Sequence, residues 1–62
     1  MKDKIIAICH DYKTAADVYL TFIFNYNQRI TYTDIVYILK ELVDEGKLEK
    51  RREGEVWKYK NV

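Results

Sequence analysis

The sequence predicts an α+β domain, mostly helical, in which three helices precede a C-terminal β-hairpin. Three observations carry this reading. Apolar residues recur at helical spacing in three segments, Gly46 stops the last of them, and a Glu53-Gly54 dipeptide divides the two β-prone runs that follow. With 62 residues the chain forms a single domain over positions 1–62, because so short a body buries only about 60% of its unfolded surface and cannot be divided further.

In the first segment, at about 100° per residue, Met1, Ile5, Ile6, Ile8, Cys9 and Tyr12 fall in one arc opposite Asp3, Lys4, His10 and Asp11. A strand from Lys4 to Cys9 is the competing reading, but these apolar neighbours do not alternate. Thr14 then offers an N-cap, with Asp17 three residues on to favour the positive end of a second helix. Along that helix Asp17, Thr21 and Asn25 make one narrow polar stripe, and Val18, Tyr19, Leu20, Phe22, Ile23, Phe24 and Tyr26 fill the rest. A helix so apolar is either central or a dimer surface.

Asn27, Gln28 and Arg29 mark a turn, after which Thr31 or Thr33 caps a third helix beginning near Asp34. Ile35, Val36, Ile38, Leu39, Leu42 and Val43 occupy half of its wheel; Asp34, Tyr37, Lys40, Glu41, Asp44 and Glu45 occupy the other half. Gly46 ends the helix in the left-handed conformation that costs glycine least. In the hairpin, a two-residue Glu53-Gly54 loop pairs Arg52 with Glu55, Lys50 with Trp57, Glu49 with Lys58 and Leu48 with Tyr59. Leu48, Trp57 and Tyr59 then share the face that closes over the helices, and Glu49, Arg51, Val56, Lys58 and Lys60 share the other.

Composition narrows the function classes. Hydrophobic residues at 48% and aromatics at 15% exclude disorder and leave aromatic area to spare, which points to a homodimer. The single cysteine rules out an internal disulfide, and no apolar run approaches the roughly 20 residues that span a bilayer. The start of the chain leads into only five apolar residues, too few for a secretory signal core, so a cytoplasmic protein with no membrane partner is expected. Cys9 and His10 are adjacent and diverge on a helix, and there is no paired-carboxylate, Gly-rich phosphate-loop or Ser-His-Asp pattern. Neither an enzyme nor a cofactor or metal is expected.

Charge is unevenly spread. Residues 31–46 sum to minus three and residues 47–62 to plus three, so the basic charge gathers at the hairpin. The run Leu39, Leu42, Val43, Gly46, Lys47, Leu48, Lys50, Arg51, then Val56-Trp57-Lys58-Tyr59, resembles the third helix and wing of winged helix-turn-helix proteins. The resemblance implies a winged-helix-like fold and a small DNA-binding transcriptional regulator, with duplex DNA as partner. Carried over by position, it turns Tyr32, Thr33, Asp34, Tyr37 and Lys40 toward a groove and puts Arg51, Arg52 and Lys58 on the wing.

The candidate DNA-binding residues are Gln28, Arg29, Tyr32, Thr33, Tyr37, Lys40, Lys50, Arg51, Arg52 and Lys58. Hairpin cations suit phosphates, though Lys and Arg on an exposed edge also prevent strand-to-strand aggregation. Gln suits adenine edges and Arg guanine, and the start of a helix suits a phosphate; the plain alternative is a polar turn with a Thr cap. Tyr37 amid charges fits stacking, or is one more exposed aromatic. Four carboxylates and one Lys on the outward face of the third helix repel a polyanion, so only its first turn is expected to enter a groove. That acidic face defines the alternative function, a non-enzymatic protein-interaction module.

Overall fold

The computed structural model describes residues 1–62 and runs α1 (Lys2–Ile8), β1 (Lys13–Thr14), α2 (Ala15–Tyr26), α3 (Tyr32–Asp44), β2 (Leu48–Glu53) and β3 (Val56–Asn61). Side-chain chemistry starts the two longer helices. The Thr14 hydroxyl accepts from the Asp17 N–H at 3.1 Å, and the Asp17 carboxylate accepts from the Thr14 N–H at 3.3 Å. Thr31 and Asp34 repeat this reciprocal cap at 3.1 and 3.2 Å, so Thr31 rather than Thr33 opens α3. Each cap satisfies two N–H groups that a helix start leaves without partners.

Both helices end on left-handed residues. Asn27 closes α2 at φ +48°, a conformation Asn tolerates better than most side chains. Gly46 follows α3 at φ +76°; its N–H donates to the Val43 carbonyl at 3.0 Å, and the Lys47 N–H donates to Leu42 at 2.9 Å. α1 is shorter than its apolar arc suggests, ending at Ile8, so Tyr12 lies beyond it in the turn before β1.

One core joins all three helices to the sheet: Ile5, Ile8, Cys9, Val18, Phe22, Ile35, Leu39, Leu42 and Leu48 are buried together. The helical periodicities include every buried position of α1 and α3, Ile5, Ile8, Ile35, Leu39 and Leu42, but also Met1 and Val36, which are exposed. On α2 they select too many, since only Val18 and Phe22 are fully enclosed while Leu20 and Phe24 face solvent.

The sheet has three antiparallel strands in the order β1-β3-β2, rather than the hairpin's two. β1 pairs Lys13 with Tyr59 and Thr14 with Lys58, which fastens the hairpin to the start of α2. Asn61 adds a second fastening, donating its N–H to the Cys9 carbonyl at 2.7 Å. The hairpin register also differs from the expected one: Glu53 pairs with Val56, Arg52 with Trp57, Lys50 with Tyr59 and Leu48 with Asn61. The loop is therefore Gly54-Glu55, with Gly54 at φ +62° and no positive φ at Glu53 or Glu55. A Glu53-Gly54 loop of the primed type would have forced Glu53 into the left-handed region, whereas a loop opening on Gly54 confines positive φ to glycine. The change moves each pairing by two positions and so preserves both faces. Trp57 nevertheless remains 42% exposed, so the expectation that it seals the core is corrected; Leu48 and Tyr59 do that work. No helix is long and apolar enough to cross a membrane.

Candidate nucleic-acid interface

Strand alternation sorts the hairpin cations into two sets with different surroundings. Arg51 and Lys58 lie opposite one another on the outer face, and both engage the Glu53 carboxylate, Lys58 at 2.7 Å. Glu53 is held below the usual carboxylate range by the Lys58 contact first and Arg51 second. Tyr12 covers the same face: its hydroxyl donates to Glu49 at 2.9 Å, and Arg51 and Lys60 sit 4.5 and 5.6 Å from its ring centre. That hydrogen bond, ahead of desolvation, raises the Tyr12 phenol and keeps it neutral. The outer face is thus largely self-compensated.

The inner face differs. Lys50 and Arg52 form no ion pair with any carboxylate; their charged groups lie 4.7 and 5.9 Å from the Trp57 ring centre, within cation–π range. Arg52 also donates through Nε to the Gly54 carbonyl at 2.9 Å, which fixes it near the tip of the hairpin. Trp57 lines a cleft of about 380 Å³ between the hairpin and the starts of α2 and α3, facing Tyr32 and Val36. A second hollow, which shares Val36 and Tyr59 with the first, holds Lys40, Lys50 and Asp44. Tyr32 is fixed in the first cleft by an edge-on contact with Tyr19, at 5.8 Å between ring centres.

Of the carboxylates of α3, Glu41 and Glu45 face α1, while Asp44 shares the second hollow with Lys40 and Lys50. Lys2 of α1 bridges Glu45 at 2.8 Å and Glu41 at 3.7 Å, and the contact lowers the Glu45 carboxyl. Asp34 is committed to its cap, leaving Asp44 as the carboxylate of α3 with neither partner. The repulsive face read from the sequence is therefore smaller than its count of carboxylates.

Of the candidate residues, Tyr32, Lys50 and Arg52 gather around Trp57, and Lys40 lies in the adjoining hollow with Lys50 and Asp44. Thr33 and Tyr37 are exposed on α3. Gln28 and Arg29 line a separate groove at the α2–α3 turn, with Asp34 on its wall, and Arg51 and Lys58 are on the opposite face of the hairpin. Sequence reasoning missed Trp57, Val36 and Tyr12 as site residues. The available signal was the cross-strand position of Trp57, on the same sheet face as Lys50 and Arg52 of β2, a position suited to charge rather than to a core.

Cys9 carries no chemistry here: it is fully buried, and desolvation pushes its thiol up to about 11. No group of three or more His, Cys, Asp or Glu side chains is arranged to hold a metal ion. Comparison with known proteins gives no match, whether to a family model, a curated protein or a solved structure.

Proposed function

We propose that this protein is a winged-helix-like transcriptional regulator that binds duplex DNA through its hairpin and the beginning of α3, acting as a homodimer in the cytoplasm. The observation that carries the reading is the placement of Lys50 and Arg52, neither paired with a carboxylate, beside Trp57 on the hairpin face toward α3, with Lys40 in the hollow next to Lys50. Cations of this kind contribute counterion release on meeting phosphates, whereas Arg51 and Lys58 must first part from Glu53. Lys2 supports the same reading by drawing Glu41 and Glu45 toward α1. The protein-interaction alternative, which needs an open acidic face on α3, draws less support for the same reason.

A titration of generic duplex DNA at low and then higher salt tests the proposal. Affinity should fall steeply with salt, and Lys50→Ala combined with Arg52→Ala should shallow the log–log slope by about two. Arg51→Ala with Lys58→Ala should change it less. Absence of binding at low salt would overturn the proposal in favour of the interaction module, and tight binding indifferent to salt would overturn its mechanism.

A further inference from the structure

Trp57 is the only tryptophan of the chain, and it is left 42% exposed although the core closes without it. An indole gains much from burial, and this one instead forms one wall of the cleft, facing Tyr32 and Val36, which are 48% and 39% exposed. Cations without carboxylate partners surround it. In an intact duplex the bases are stacked on one another and present only their edges, so a duplex engages the cations and leaves the ring unused. An unpaired base offers a π face to the ring and carries phosphates on either side. Charged groves with aromatic floors are the general solution for single-stranded nucleic acid.

We infer that the cleft between α3 and the hairpin accepts an unpaired base of DNA, at a strand end or a junction, stacked on Trp57 while Lys50 and Arg52 hold the flanking phosphates. This rests on the DNA-binding reading above and adds the unpaired base to it. The cations resting on the ring in the free protein move to phosphates when the base takes their place. Glu55, on the rim of the same cleft, and Asp44, in the hollow beside Lys50, oppose this and limit affinity.

Because Trp57 is the sole indole, its fluorescence reports stacking directly. The full chain is titrated at low salt with a blunt hairpin duplex and with the same duplex bearing a short thymidine overhang. The overhang should bind about tenfold more tightly and quench the emission, as expected for one stacked base. Trp57→Ala should abolish the preference, Trp57→Phe should keep part of it, and Glu55→Gln should strengthen it. Equal affinity for the two ligands with unquenched emission overturns the inference and leaves duplex binding standing, as does a preference that survives Trp57→Ala. Failure to bind either ligand removes both.

Discussion

Glu53 is the residue on which the charge of the hairpin turns. It receives Arg51 and Lys58 at once, and its folded pKa lies below the ordinary value because both cations favour the carboxylate. A depressed carboxylate stabilises the fold above its unfolded pKa, and that contribution is lost as pH falls through the folded value, from roughly pH 4 downward. These groups are exposed and screened, so the effect on stability is slight. The effect on binding is larger, since two cations are held away from any polyanion. Glu53→Gln should therefore tighten duplex binding at neutral pH, with a gain that shrinks as salt is added and little change in melting temperature. Unchanged or weaker binding would show that the outer face of the hairpin never approaches the phosphates.

At the scale of the elements, the hairpin depends on a single backbone angle. Gly54 sits at φ +62°, and a methyl group there would meet no atom within 4 Å, so substitution is opposed by the backbone alone. Gly54→Ala should cost about 1–2 kcal/mol in chemical unfolding, and Gly54→Asn clearly less; equal stability of all three proteins would contradict the turn geometry. This element also shows where sequence reasoning stops. The cap at Thr14, the stop at Gly46 and the buried stripe Ile35, Leu39, Leu42 were legible, because each is decided by chemistry within one or two helical turns. β1 was not, since Lys13 and Thr14 show no apolar alternation and gain strand geometry only by pairing with Tyr59 and Lys58, far along the chain. The turn was misplaced by one residue because both loops contain Gly54, and only the cost of a left-handed Glu53 separates them. The site was legible in the same partial way. Its cations stand out in the sequence, but their division into a set paired with Glu53 and a set around Trp57 depends on strand faces and on where α3 lies.

For the whole molecule, the surplus of aromatic area read from composition has a location. On α2, Leu20 and Phe24 are 52% and 83% exposed one helical turn apart, on the side away from Val18 and Phe22. A second copy would bring the same stripe, and a two-fold axis across it would set Phe24 of each chain against the apolar face of the other. Two such residues offer a few hundred Å² at most, against about 800 Å² per partner in a standard interface, so a dimer formed through α2 alone would be weak and concentration-dependent. DNA that engages two copies would strengthen it by linkage. Light scattering should accordingly give a mass that rises toward the dimer at high micromolar concentration and returns to the monomer on dilution. Phe24→Ser should hold the chain monomeric with its helical circular dichroism intact, because the side chain lies outside the core. A monomeric mass at high micromolar concentration would reject self-association through α2 and leave the DNA-binding proposal to stand on a single copy.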